Sequence, residues 1–123
     1  MQRIYAGRLK IPSIAGASGT SGGIAYGSPT AVTLASNILT VTGPGWYTVT
    51  SESGTTDQLD KITGLSQGDI VMLQPTSTHT ITVAKGTYLK MQTNFVLDNV
   101  YDKITFICEG SDVCSEHPRS SNA

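Results

Sequence analysis

The sequence predicts an all-β fold: a small β-sandwich, jelly-roll-like or barrel-like domain that follows an extended N-terminal arm. From residue 31 onward, short runs of β-branched residues alternate with polar residues, and no window shows a sustained helical period. Turn-forming glycine, proline, asparagine and serine separate these runs at the spacing of single strands. With 123 residues, the chain is long enough for one small domain.

Residues 1–30 are predicted to form the extended arm. Pro12, Pro29 and repeated glycines prevent regular strand pairing in this segment. The arm nevertheless carries large apolar side chains, which a purely flexible linker would not. We therefore expect it to lie along another protein surface, through the candidate binding residues Ile4, Tyr5, Leu9, Ile11 and Ile14.

The β domain is predicted over residues 31–116, and residues 117–123 are predicted to form a polar C-terminal tail. The segment Gly43-Pro44-Gly45 favours a hairpin between the runs on either side of it. Residues 57–65 fit one helical turn or an irregular crossing. The strand-like runs, in order, are 31–34, 38–42, 46–50, 68–75, 79–85, 89–92, 94–100 and 103–110.

Alternation within these runs predicts which side chains form the core. The segment 70–73 differs from the others because it is continuously apolar, which indicates a strand covered on both faces. The predicted core residues are Leu39, Val41, Val49, Ile70, Leu73, Ile81, Val83, Phe95, Leu97, Ile104 and Phe106.

The charge of the chain argues against two classes of partner. Eight basic and nine acidic residues give a formal net charge of -1, and charged residues make up only 14% of the sequence. Without a basic run, counterion release cannot drive binding to nucleic acid, and anionic lipid exerts no attraction. No segment approaches the roughly 20 apolar residues of a membrane helix. We therefore expect neither nucleic acid nor membrane as a partner.

No catalytic or metal-binding pattern stands out. The two histidines, His79 and His117, are accompanied by no GxSxG motif. The carboxylate pairs at 57 and 60 and at 98 and 102 lie outside any calcium-binding loop, and such aspartates more often cap turns. The sequence therefore predicts a non-enzymatic protein with no catalytic residue, no metal and no cofactor.

Cys108 and Cys114 flank the turn-like segment 110–112. A three-residue hairpin loop would place these cysteines on directly opposite residues, where a cross-strand disulfide is geometrically allowed. Two buried free thiols fit the same pattern, and the sequence leaves both alternatives open.

A domain with so small a core is only marginally stable alone, and oligomerisation is a common remedy. We therefore expect self-association. Trp46, Tyr47, Tyr88 and Tyr101 are the aromatic candidates for the core or a subunit interface, with stacking on sugars as the alternative.

An ordered series of motifs from residue 38 onward resembles a β-rich module of tailed-bacteriophage structural proteins, found in tail-fibre-like proteins and in short free-standing virion proteins. The resemblance covers about the last two-thirds of the chain. Its motifs are ILTVTG at 38–43, DQLDKITG at 57–64, GDIVML at 68–73, TITV at 80–83, FVLDN at 95–99, DKITFICEG at 102–110 and RSSN at 119–122.

The resemblance implies a virion structural protein. Our first hypothesis is a capsid decoration, or cement, protein: a homotrimer on the capsid exterior that is assembled in the host cytoplasm and binds the major capsid protein through its arm. The alternative is a tail-fibre or baseplate module that binds a host-surface receptor.

Overall fold

The computed structural model describes residues 26–122, which form eleven β-strands and no helix. The all-β prediction is therefore confirmed. No helix among the described residues is long and apolar enough to cross a membrane. The strands are β1 (Thr30–Thr33), β2 (Ile38–Thr40), β3 (Gly45–Thr50), β4 (Thr56–Leu59), β5 (Lys61–Thr63), β6 (Ile70–Pro75), β7 (Thr80–Val83), β8 (Leu89–Lys90), β9 (Phe95–Leu97), β10 (Lys103–Gly110) and β11 (Val113–Ser120).

The first seven strands wind into stacked coils, in a β-solenoid-like arrangement. Strands β1, β3 and β6 lie side by side and parallel in one wall, while β2 pairs with β5 and β4 pairs with β7, also in parallel. Parallel neighbours need a crossover connection, and here the strands of the other walls supply it. Alternate residues of every wall therefore point into one shared core.

The predicted sandwich, jelly-roll or barrel topology is wrong, and so is the predicted hairpin at Gly43-Pro44-Gly45. Strand β2 pairs with β5, whereas β3 pairs with β1 and β6 in a different sheet. The segment between β2 and β3 thus turns the chain around a corner of the coil. Alternating apolar and polar residues look the same in a coil strand and in a hairpin strand, so alternation did not distinguish them.

Antiparallel strands close the C-terminal end. The six-stranded sheet has the order β1-β3-β6-β10-β11-β8, in which β10 is antiparallel to both β6 and β11. Ser111 and Asp112 form the β10–β11 turn, both with positive φ, as a two-residue hairpin loop requires. Strand β11 continues to Ser120, so the predicted boundary at residue 117 falls inside a strand.

The core contains ten of the eleven residues predicted for it. The exception is Ile70, which is half-buried because it lies on the outer face of β6, where inward and outward residues alternate. The buried apolar residues are Leu34, Leu39, Val41, Tyr47, Val49, Leu59, Ile62, Val71, Leu73, Ile81, Val83, Leu89, Met91, Phe95, Leu97, Ile104, Phe106, Cys108 and Cys114.

Gly64 allows two successive coils to approach closely. Val41 donates its backbone N–H to the carbonyl of Thr63 at 2.9 Å, which brings the backbone of Val41 against residue 64. A Cβ on Gly64 would lie 1.8 Å from the carbonyl oxygen of Val41, and the φ of this glycine is +99°. Only glycine fits this position without backbone movement.

We expect Gly64→Ala to lower the free energy of unfolding by about 3 kcal/mol or more. Backbone strain at positive φ accounts for about 1–3 kcal/mol, and the clash with Val41 adds to it. The matched control is Gly68→Ala, because Gly68 has a similar φ of +91° but open space around its Cβ position. Urea unfolding of both variants measures the difference, and equal losses would contradict the close-approach argument.

Candidate functional site: an open basic groove

An open groove of about 730 Å³ lies at the C-terminal end of the coils. Its walls come from the corner before β8, from the segment that follows β8, and from the second half of β11. The residues that line it are Lys85, Gly86, Lys90, Met91, Gln92, Thr93, Glu116, His117 and Arg119.

This groove concentrates positive charge. Residues 26–122 contain five Lys and Arg residues and nine Asp and Glu residues, which gives this part of the chain a formal charge of -4. Three of the five cations, Lys85, Lys90 and Arg119, line the groove, together with the single carboxylate of Glu116. The groove therefore carries a local charge of +2 on a body that is otherwise acidic.

Arg119 forms a fixed wall of the groove. Its guanidinium forms an ion pair with Glu116 in which both oxygens of the carboxylate accept hydrogen bonds, and it donates to the carbonyl of Thr93 at 3.0 Å. The guanidinium also lies 4.7 Å from the centre of the Phe95 ring. The hydrogen bonds between the pair lower the pKa of Glu116 and raise the pKa of Arg119, so both side chains stay charged.

The two lysines provide the charge that can reach a ligand. Lys90 is exposed on β8, and Lys85 is exposed on the preceding corner, where its ammonium donates to the carbonyl of Gln92 at 3.3 Å. The backbone N–H of Lys85 donates to the side-chain oxygen of Asn94 at 2.9 Å, which fixes this corner. The amide of Gln92 and the imidazole of His117 add polar groups that can hydrogen-bond. This arrangement can bind a carboxylate, sulfate or phosphate group.

The two histidines have different surroundings. His117 is exposed in the groove, and none of the lining residues is a serine or a cysteine that it could activate. His79 accepts a hydrogen bond at Nδ1 from the backbone N–H of Ser51, at 3.2 Å, and so links β3 to the start of β7. The groove therefore presents charged and polar groups that can bind a ligand. His79, in contrast, stabilises the fold through its hydrogen bond with Ser51.

One aspartate of each carboxylate pair noted in the sequence, Asp57 and Asp102, holds a loop in place. Asp102 is completely buried and accepts hydrogen bonds from the backbone N–H groups of Asp98 and Asn99, both at 3.1 Å, and from that of Asn122. Asp57 likewise accepts the N–H of Glu52 at 2.7 Å. Asp98 and Asp102 therefore do not face each other across a groove, as a carboxylate pair in glycoside hydrolysis would.

Among residues 26–122, no three His, Cys, Asp or Glu side chains lie close enough to bind a metal ion together.

The aromatic candidates differ in their exposure and in their contacts. Tyr47 is buried, Tyr88 is 37% exposed and lies under the ammonium of Lys61 at 4.4 Å, and Tyr101 is 68% exposed.

Cys108 and Cys114 lie directly opposite each other in the β10–β11 pair, and both are buried free thiols. The two cysteines are thus opposite, with their sulfurs unjoined, but the predicted three-residue loop is wrong: the loop has two residues, Ser111 and Asp112, and a register shift between Cys108 and Gly110 restores the pairing. Burial raises the pKa of Cys114 to about 12, and the neighbouring Cys108 contributes further. The thiol of Cys114 therefore stays protonated in the folded protein across the neutral range.

We expect the free energy of unfolding to depend on pH through the thiol of Cys114. In the unfolded chain the thiol loses its proton near pH 9, whereas in the fold its pKa is about 12. Above pH 9 the folded state therefore holds the proton more strongly, and stability falls as the pH rises from 9 towards 12. Urea unfolding across this range should show a shallower decline for Cys114→Ala than for the wild type. Equal slopes would contradict the raised pKa.

Sequence reasoning missed the groove. Lys85, Lys90 and Arg119 are isolated cations separated by up to 34 positions, and only the pairing of β8 with β11 brings them together. The candidate arm residues Ile4, Tyr5, Leu9, Ile11 and Ile14 lie outside the described residues.

Comparison with known proteins gave no match: no family model, no curated protein and no solved structure matched this chain.

Proposed function

We propose that this chain is a non-enzymatic bacteriophage virion structural protein, and that it acts as a capsid decoration (cement) protein. In this role it would form a homotrimer on the capsid exterior, bind the major capsid protein and stabilise the shell. Two lines of argument support the proposal: the motif series that resembles phage structural modules, and the character of the N-terminal end of the coils.

The observation that carries the proposal is an open strand edge at that end. Within residues 26–122, β1, β2 and β4 each form hydrogen bonds to a neighbouring strand on one side only. Such an edge presents unpaired backbone groups to any added strand, and the terminal coil of a solenoid needs a cover. Residues 1–25 precede, in the sequence, the segment that leads into β1, which is one of these edge strands.

Attachment through the arm would combine apolar burial with strand addition. Each buried apolar side chain contributes about 1.5–3 kcal/mol, from which the cost of ordering the arm must be subtracted. Three arms on one trimer would bind together, because attachment of the first raises the effective concentration of the others. The residues assigned to this contact are Ile4, Tyr5, Leu9, Ile11 and Ile14.

Deletion of residues 1–15 should abolish binding to capsids, because it removes all five apolar contacts. Cosedimentation with purified undecorated capsids measures occupancy, and the thermal unfolding midpoint of the truncated chain tests whether the body is intact. Two further variants separate the forces: one replaces the five apolar residues by serine, and the other replaces Arg3, Arg8 and Lys10 by glutamine. Full occupancy of the truncated chain would refute the proposal.

A second candidate function, a tail-fibre or baseplate module that binds a host-surface receptor, is favoured by the basic groove. Its exposed lysines would suit an acidic saccharide better than a neutral one. Copy number per virion separates the two functions: hundreds of copies fit a capsid lattice, whereas about ten fit a tail.

If the receptor function holds, an array of saccharides should show binding to uronic acid or sialic acid polymers and none to neutral glycans. Lys85→Glu combined with Lys90→Glu should reduce that binding at least tenfold, because two exposed cations are replaced by carboxylates that repel an acidic saccharide. Lys61→Glu combined with Lys103→Glu is the charge-matched control outside the groove. Equal loss in the control, or no binding by the wild type, would rule this function out.

A further inference from the structure

The outer face of the six-stranded sheet is unusually apolar at its centre. Trp46 of β3, Met72 of β6 and Thr105 of β10 are register partners across three adjacent strands. Ile70 and Ile107 are partners in the next row of the same face. We call these five residues the central patch; four are half-buried and Thr105 is buried, and among the described strands β6 and β10 make their main contacts with their neighbours in the sheet.

The central patch accounts for the continuously apolar segment 70–73. Val71 and Leu73 face the core, so the coil itself explains only half of this segment. Ile70 and Met72 face outward, where a solvated sheet would carry polar residues. Thr105 lies on the same face and is only 7% exposed. A strand that is apolar on both faces is typical of a sheet that is covered on both faces.

Charge indicates which partner covers this face. Residues 26–122 carry a formal charge of -4 and the full chain carries one of -1, so a contact between copies is favoured where the surface has no net charge. The central patch is uncharged, and the ends of β10 carry opposite charges on the outer face, at Lys103 and Glu109. Lys103 lies 5.6 Å from the Trp46 ring. A symmetric contact brings identical groups near one axis, which only an uncharged centre tolerates.

The arm of the same chain fits this face less well. Residues 1–25 contain three basic residues and no acidic residue. Charge complementarity therefore directs the arm towards acidic surfaces, whereas the cation of Lys103 lies beside the Trp46 ring of the central patch. The composition of this face is also typical of an interface core with a polar rim. A tryptophan and a methionine lie at the centre, and Thr48, Gln74 and Ser115 lie around them.

We infer that the central patch, Trp46, Ile70, Met72, Thr105 and Ile107, is the surface through which this chain binds further copies of itself. The inference gives the proposed homotrimer its contact surface and rests on the proposed function only for the number of copies. The proposed capsid contact uses other residues, because the arm precedes β1 in the sequence and β1 lies at one edge of the sheet.

The test measures the mass of the free full-length protein by light scattering at about 50 µM, where association of moderate affinity is populated. The wild type is expected near 39 kDa, three times the 12.9 kDa chain. Met72→Glu and Ile107→Lys should each give a monomer, because like charges then meet at the axis. Val96→Glu is the control, since Val96 is 42% exposed on β9, outside this face. Thermal unfolding checks that each variant is folded.

Two further measurements make the result specific to this face. Mixing Met72→Glu with Met72→Lys copies should restore a mass above that of the monomer, because opposite charges then meet. Trp46 is the only tryptophan, so dilution of the wild type should shift its emission to longer wavelengths as the patch becomes exposed. A monomeric wild type, or charged variants that keep the wild-type mass, would overturn the inference.

If the arm of the same chain covers the central patch, the measurements give a different result. Removal of residues 1–25 would then shift the Trp46 emission without changing the mass, and this outcome would also overturn the inference. Mass is measured without capsids and capsid binding is measured separately, so failure of self-association and failure of the cement function are distinguishable.

Discussion

Backbone hydrogen bonding between parallel strands of successive coils is the interaction on which the rest of the structure depends. It fixes Val32, Val49 and Pro75 in one inward row and Leu59 and Val83 in another, so the core forms as stacked layers. Because side chains alternate along each strand, a shift of one residue would turn every inward side chain of a wall outward. The absence of a side chain at Gly64 is what lets two of these coils reach hydrogen-bonding distance.

The same winding separates three surfaces that can act independently. Among the described residues, the strands β1, β2 and β4 are paired on one side only, the outer face of the large sheet has an uncharged apolar centre, and the C-terminal end has a basic groove. Under our proposals, attachment, self-association and ligand binding would therefore use different chemistry in different places. A virion protein on a lattice needs at least the first two at once, since it must contact both the shell and its own copies.

The sequence was sufficient for the all-β class and for nearly all of the core, because alternation reports directly which side chains face inward. It did not reveal the topology, since the partner of a strand depends on chain direction at the corners. At Gly43-Pro44-Gly45 the same turn residues serve a corner or a hairpin. Ile70 was placed in the core because an apolar segment predicts cover on both faces without identifying what covers it. The groove was missed because its cations are far apart in the sequence.

The coils differ in length, and this difference indicates where the chain can accept insertions and deletions. The residues aligned in the large sheet are 17 positions apart from Thr30 to Tyr47 but 26 apart from Tyr47 to Leu73. The corners absorb this difference while the strands keep their pairing. Insertions and deletions are therefore tolerable at exposed corners, such as residues 53–55, and disruptive within β6. A foreign peptide could be displayed at such a corner with the inward rows unchanged.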